Sequence, residues 1–294
     1  MIIEPECVGC LLNQVLKAFK LLEPDIDKNT ILKTQKKLMK YLLEIDLEKY
    51  SAPLVGKFLY NLVGEVLGED DPYKELKEKY NNLAMQYYED AKKIVKESQD
   101  PLFEAIGASA LGNTVDFASQ HKIELIKDLK EFSPNNFKIN DYETFKKDLG
   151  RIDKMVIIGD NTGEIVFDKL LIETIKEIYP SLGLKYAVRS APVINDATIK
   201  DARSIGITEL VEVIESSPAP GIDFSEVSND LMIYLSEDNS VVLAKGQGNF
   251  ETLYGVELTN SRIYYLLKAK CSLMERIFNV PLGSLIFKKK TDKF

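Results

Sequence analysis

An α/β fold is the class this sequence predicts, and three observations point to it. Short apolar runs, Met155-Val156-Ile157-Ile158, Leu184 to Val188 and Val241-Val242-Leu243-Ala244, have the length of buried strands. After Arg151 they alternate with stretches whose apolar residues recur at helical spacing. Up to about residue 149 the pattern is helical, with no convincing strand. Strands alternating with helices argue for a mostly parallel sheet covered on both faces.

In the helical half, Leu11, Leu12, Val15, Leu16, Phe19 and Leu22 follow a Pro5 start. Ile31, Leu32, Leu38, Leu42 and Leu43 make a second helix. Pro53 opens a third, which carries Leu54, Phe58, Leu59, Leu62 and Val66 and stops near Gly68. Asp71-Pro72 opens one long helix through Leu76, Tyr80, Leu83, Tyr87, Ala91 and Ile94, and Pro101 begins another with Leu102, Ile106 and Leu111.

In the second half a helix with Ile165, Leu170, Leu171, Ile175 and Ile178 follows the first strand and closes at Pro180. A helix near Ala197 to Ile205 follows the second strand. Leu210 to Ile214 is a third strand, Phe224 to Leu235 a helix, Val241 to Ala244 a fourth strand and Ile263 to Leu267 a fifth. Leu285-Ile286-Phe287 reads as an added edge strand. The chain therefore divides at 149/150 into a helical part and an α/β part.

The totals narrow the function. A net charge of −8 argues against a nucleic-acid surface, and Lys288-Lys289-Lys290 reads as a solvated run. No apolar stretch approaches the ~20 residues that span a bilayer. The first residues, Met1 to Glu6, carry no basic region, so a cytoplasmic protein is expected. His121 is the one histidine, which excludes a His-rich zinc site. Three cysteines are too few for a disulfide framework.

Ligands of open α/β sheets gather beyond the carboxyl ends of the strands. Gly159-Asp160-Asn161-Thr162-Gly163-Glu164 follows the first strand. A capped helix start accounts for one Asp or Thr there. Asp-Asn followed by Glu also suits a hard cation, with a helix N-terminus beside it for a phosphate. Arg189 and Asn195-Asp196 follow the second strand. Arg189 has the fork that suits a phosphoryl group, though a lone arginine is commonly a surface ion pair; Asp196 also reads as a plain helix cap. Lys245-Gly246-Gln247-Gly248-Asn249-Phe250-Glu251 follows the fourth strand and reads either as an anion-wrapping loop or as a tight turn. Asn113 and Asp116 share a helical face and either close the cleft from the helical half or fix helix packing.

Cys7-Val8-Gly9-Cys10 has half the spacing of a zinc or redox site, and Cys271 is the only other thiol. A labile disulfide, a three-thiolate metal site and buried thiols are all open. Inert or redox-sensitive thiols are favoured, because Cys271 and Arg276 miss the spacing of a cysteine phosphatase.

Taken together, these segments resemble the damage-control phosphatase family, in its archaeal-type branch with paired N-terminal cysteines. The resemblance runs from Cys7-x-x-Cys10 to Lys270-Cys271 and rests on Gly159 to Asp168, on Arg189 with Pro192 to Thr198, on Lys245 to Glu251, and on Gly112-Asn113 with Asp116. It implies a helical bundle packed on a Rossmann-like three-layer α/β domain. It implies one divalent metal ion, Mg²⁺, Mn²⁺, Co²⁺ or Ni²⁺, held by Asp160, Asn161 and Asp196. It also implies phosphate contacts from Lys245 and Arg189, and substrates that are small phosphorylated metabolites, sugar phosphates among them.

The chemistry expected is metal-assisted hydrolysis, with Glu164 or Glu251 as general base and the helix N-terminus near Gly163 balancing charge. A covalent aspartyl-phosphate at Asp160 ranks lower, because position 162 is Thr and the Asp-x-Asp pattern is missing. Carboxyl methyl transfer and non-catalytic binding of metal and phosphometabolite are the rival functions.

Overall fold

The computed structural model describes residues 1–112 and 122–291. The helical half comprises α1 (Pro5–Leu22), α2 (Lys28–Glu44), α3 (Ala52–Leu67), α4 (Lys74–Met85), α5 (Tyr88–Glu97), α6 (Pro101–Gly112) and α7 (Lys122–Lys130). Asp27 caps α2 by accepting the N–H groups of Asn29 and Thr30, and Gly68 ends α3 in the left-handed conformation. The single helix expected from Asp71 to Ile94 is broken at Gln86 and Tyr87. Apolar spacing carries across the break, so the pattern did not reveal it.

The rest of the chain runs β1 (Phe137–Asn140), α8 (Tyr142–Leu149), β2 (Lys154–Ile158), α9 (Glu164–Ile178), β3 (Gly183–Val188), α10 (Ile199–Ser204), β4 (Glu212–Glu215), α11 (Asn229–Ser236), β5 (Ser240–Lys245), α12 (Gly246–Leu253), β6 (Ile263–Lys268), α13 (Ser272–Phe278) and β7 (Leu285–Lys289). Three expectations are corrected. A strand, β1, exists before residue 149, and it is only four residues of mixed polarity. The run at Leu285 is not an edge strand: β7 lies between β1 and β6. The helix expected from Phe224 begins only at Asn229, where the Ser228 hydroxyl accepts the Leu231 N–H.

The sheet order among the described residues is β1-β7-β6-β5-β2-β3-β4. Every pairing is parallel except β6 with β7. From β2 the chain adds β3 and β4 on one side, then returns to add β5 and β6 on the other. The order therefore reverses between β2 and β5, and in such sheets the crevice for a ligand opens at that point.

Strand alternation fixes the layers. Met155 and Ile157 of β2 face one core with Tyr186, Leu243 and the α9 residues Phe167 and Leu171. Val156 and Ile158 face the other, with Val242, Tyr265 and Phe250. Both faces are dry, which explains the unbroken apolar runs. Each fully buried aliphatic side chain contributes roughly 1.5–3 kcal/mol of transfer free energy. The helical half contributes to these layers. α6 packs on α9 so closely that a Cβ on Gly112 would lie 2.7 Å from the Phe167 ring. A separate cluster, from Ile3 to Tyr73, holds α1, α2 and α3 together.

Candidate active site

β2 ends at Ile158, and Gly159 continues its pairing by donating its N–H to Ala187 O at 2.9 Å. A Cβ on Gly159 would lie 2.2 Å from Tyr186 Oη, so only glycine fits. Beyond it the chain is laced to the loop after β3. Ala197 N–H donates to Asp160 O at 2.8 Å, and Asn161 and Asp196 form an isolated antiparallel bridge. Thr162 donates both its N–H and its hydroxyl to Asn195 O, at 2.9 and 3.0 Å. This lacing brings Asp160, Asn161 and Asp196 to one place. Thr198, not Asp196, caps α10, in a reciprocal box with Asp201. The capping explanation for Asp196 thus falls away.

Arg189 bridges the two acids. Its Nε donates to Asp196 Oδ2 at 2.6 Å and its Nη2 to Asp160 Oδ1 at 3.4 Å. Nη1 donates to Asn249 Oδ1 at 2.8 Å and Gly221 O at 3.2 Å. The planar fork is matched on every side. Burial pushes the Asp160 carboxyl up to about 6, with Asp196 adding to the rise and Arg189 opposing it. Burial likewise raises Asp196, again against Arg189. The Asn161 amide donates to Asp160 Oδ2 at 2.8 Å and keeps its carbonyl oxygen as an acceptor.

Lys245 to Glu251 is neither an anion-wrapping loop nor a tight turn: α12 starts directly at Gly246, with φ 76°. A Cβ there would stand 2.0 Å from Asp160 Oδ2. The first turn of α12 therefore presses against the carboxylate, where the helix dipole favours negative charge. Asn249 pins this contact by donating to Lys245 O at 2.7 Å and Gly159 O at 3.2 Å.

Lys245 Nζ lies inside the protein against Glu164 Oε1, against Asp168 Oδ1 at 2.7 Å and against Ser109 O at 3.4 Å. Asp168 also accepts the Ser109 hydroxyl at 2.6 Å and the Tyr186 hydroxyl at 2.8 Å. Burial alone would lower the Lys245 pKa, but Asp168 and Glu164 together hold it above its ordinary value. Burial pushes Glu164 up to about 7, against the pull of Lys245 and helped by Asp160 and Asp168. A carboxyl raised toward neutrality and an ammonium held charged do not make a full ion pair near neutral pH. Asp168, with three donors, is the partner that keeps Lys245 charged. Glu164 Oε2 is buried with no hydrogen-bond partner among the described residues.

Other expected site residues lie elsewhere. The Gly163 N–H donates to Asn81 Oδ1 at 2.7 Å, tying the start of α9 to α4. Glu251 accepts from Gln247 Nε2 at 2.6 Å, and its backbone oxygen accepts the Met1 ammonium at 2.6 Å. Cys7 and Cys271 are half-buried thiols and Cys10 is exposed; Cys271 Sγ accepts from Gln247 at 3.3 Å. Asn113, Asp116 and His121 lie outside the described residues. Asn81, Ser109, Tyr186 and Asn249 were not singled out from the sequence, because hydrogen bonds between distant segments leave no local pattern.

Among the described residues, no three Asp, Glu, Cys or His side chains are grouped to hold a metal ion. Asp160, Asn161 and Asp196 together offer two carboxylates and an amide oxygen. Those are hard donors, suited to Mg²⁺ or Mn²⁺ with water completing the shell. Two acids crowded and desolvated at a strand switch, with one arginine between them, leave negative charge that a cation would neutralise.

Comparison with known proteins shows the family. The model of the damage-control phosphatase ARMT1-like domain matches residues 3–286. The chain is 32% identical over 291 residues to a damage-control phosphatase of Pyrococcus horikoshii, covering 97% of each chain. It is 35% identical over 298 residues to a damage-control phosphatase of Archaeoglobus fulgidus, covering 98% of this chain and 99% of that one. The crystal structure of a DUF89 family protein from Pyrococcus horikoshii superposes with a TM-score of 0.86 at 29% identity, over 99% of this chain and 100% of that one. The chain belongs to the damage-control phosphatase family with the ARMT1-like domain, and phosphate-ester hydrolysis is the activity that goes with that membership.

Proposed function

We propose that this phosphatase hydrolyses phosphate monoesters of small metabolites, sugar phosphates among them, and needs one divalent cation held by Asp160, Asn161 and Asp196. One observation carries the reading: Asp160 and Asp196 are brought together, buried, at the β2–β5 switch point and share Arg189. A divalent cation bound there would polarise a phosphoryl oxygen and lower the pKa of a water that it holds.

The chain's own groups do the rest. Arg189 fixes the orientation of both carboxylates. It was expected to touch phosphate, and in this reading it acts through Asp160 and Asp196 instead. Lys245 adds positive charge from beneath the site and holds Glu164 in place. Glu164 takes up a proton at Oε2 from the attacking water, since its pKa lies near neutrality. Glu251 is the weaker candidate, because its partners are Gln247 and the chain start. Asn113 and Asp116 remain proposed substrate contacts from the helical half, and Gly163 a backbone contact.

Residues 1–149 then form the helical part over the crevice and 150–294 the catalytic α/β part, with β1 joining the sheet. A cytoplasmic location and the paired-cysteine branch belong to the same proposal. No helix among the described residues is long and apolar enough to cross a membrane. Methyl transfer draws no support from relatives that carry phosphatase names.

The test is phosphate release across a panel of sugar and nucleotide phosphates, with Mg²⁺, Mn²⁺, Co²⁺ or Ni²⁺ and after chelation. Release that depends on the cation, and is lost in Asp160→Ala while the protein stays folded, is expected. Undiminished release after complete chelation would count against the reading.

A further inference from the structure

Asp196 stands at the end of a tight turn. Its N–H donates to Val193 O at 3.1 Å, which closes Val193-Ile194-Asn195-Asp196 into a four-residue turn. Ile194, the first central residue, has φ 48°, whereas Asn195 is not left-handed. That is the type II′ pattern, where glycine is the usual first central residue. An isoleucine there is an outlier, because its branched Cβ crowds the backbone in the left-handed region. One other non-glycine among the described residues has a positive φ. It is Asn279 at the end of α13, where asparagine commonly takes that conformation. The turn at Ile194 has no such local reason.

We propose that Ile194 is a positioning residue for the cation site: its side chain, seated in the helical half, holds the turn in a form its own backbone resists and so sets the Asp196 carboxylate. The proposal rests on the reading of Asp160, Asn161 and Asp196 as that site. Three observations carry it. First, Ile194 packs against the apolar cluster of α1, α2 and α3 that runs from Ile3 to Tyr73. Strain in the turn is thus opposed by apolar burial in a different part of the fold. Second, the turn borders a void. Pro192, Val193 and Ile194 wall an open cavity of about 430 Å³, with Tyr60, Asn61 and Gly64 of α3 among its other walls. A segment under strain has room to relax there once its anchor is gone. Third, the turn passes its geometry directly to the site. Asn195 O accepts both the N–H and the hydroxyl of Thr162, Asp196 bridges Asn161, and Ala197 N–H donates to Asp160 O. A relaxed turn would break this lacing and draw Asp196 away from Asp160. The helical half therefore sets cation affinity through an apolar contact.

The experiment compares wild type with Ile194→Gly, Ile194→Asn, Ile194→Val and, as a packing control in the turn between α1 and α2, Ile26→Ala. Glycine and asparagine accept the backbone angle but give up the apolar anchor; valine keeps the branched Cβ and most of the contact. Amide hydrogen exchange at Thr162 and Ala197, relative to Ile157 in the core of β2, is followed in the cation-free protein, and Mn²⁺ binding by calorimetry. Ile194→Gly is expected to exchange both amides about tenfold faster or more and to bind Mn²⁺ about tenfold more weakly or more. Ile194→Asn should behave as glycine does, and Ile194→Val should return both readings to within about threefold of wild type. Ile26→Ala removes packing from the same cluster, so it should lower the melting temperature and leave Mn²⁺ affinity unchanged. Wild-type exchange or wild-type Mn²⁺ affinity in Ile194→Gly and Ile194→Asn would overturn the assignment, as would an equal loss of Mn²⁺ affinity in Ile26→Ala. If the wild type binds no Mn²⁺, the cation-site reading fails separately. The exchange rates then decide on Ile194: faster exchange at Thr162 and Ala197 in Ile194→Gly upholds its hold on the turn, and equal rates remove it.

Discussion

Arg189 Nε lies 2.6 Å from Asp196 Oδ2, in a place where neither side chain reaches solvent. The same guanidinium touches Asp160, so one residue holds both acids of the candidate cation site. Arg189→Ala would leave two buried carboxylates without their counter-charge. Removing one partner of a buried pair costs about 3–5 kcal/mol. We expect a lower melting temperature, a part of which a divalent cation restores. Arg189→Lys should recover little, because a point charge cannot reproduce the fork. Thermal unfolding of both variants with and without Mn²⁺ checks this; a melting temperature equal to wild type in Arg189→Ala would refute it.

Gly246 sits at φ 76° against Asp160 Oδ2. Gly246→Ala has to displace that carboxylate or distort the start of α12. Strain of this kind costs about 1–3 kcal/mol. The expected outcome is a folded protein whose cation affinity falls by more than its stability. Circular dichroism paired with cation titration checks this, and unchanged cation affinity would be the adverse result.

Lys245 is held by Asp168, which Ser109 and Tyr186 also engage. Asp168→Asn keeps the shape but removes the charge that keeps the ammonium protonated. We expect a loss of about 3–5 kcal/mol in stability and an acid-side shift of the pH profile of kcat, as Glu164 becomes the main partner of Lys245. A profile that does not move would mean that Glu164 and Lys245 are not coupled to the reaction.

Stability of the cation-free protein should fall as pH rises. Asp160 has its pKa raised from 3.8 to about 6 and Glu164 from 4.5 to about 7. In the interval between those values the folded state holds more protons than the unfolded one, so deprotonation favours unfolding. The loss begins near the lower values and is complete above about pH 7. A divalent cation should reverse it at the alkaline end and do little at the acid end. Melting temperatures across this interval, with chelator and with Mg²⁺, check the sign; a cation-free protein that gains stability from these groups over the interval would contradict it.

Much of this was readable in the sequence because the physics is local. Met155 to Ile158 is apolar on both faces, and both faces are buried. Gly68 and Pro53 mark helix ends through their own backbone preferences. The residues at strand tips were found because a parallel sheet places them at one edge. What was missed depends on partners far along the chain. β1 is four residues long and pairs with β7, which no window of sequence contains. Arg189 reads as a phosphate ligand until Asp196 and Asp160 are seen to occupy it. Asn249 looks like part of a glycine turn, yet it binds Gly159 O and Lys245 O.

The central claim is that Asp160, Asn161 and Asp196 form one cation site. Calorimetric titration of the metal-stripped protein with Mn²⁺ tests it most directly, for wild type and for Asp160→Asn and Asp196→Asn. Saturable binding of about one ion per chain in wild type, weakened at least about a hundredfold in both variants, is the predicted result. Equal binding by wild type and both variants would contradict it.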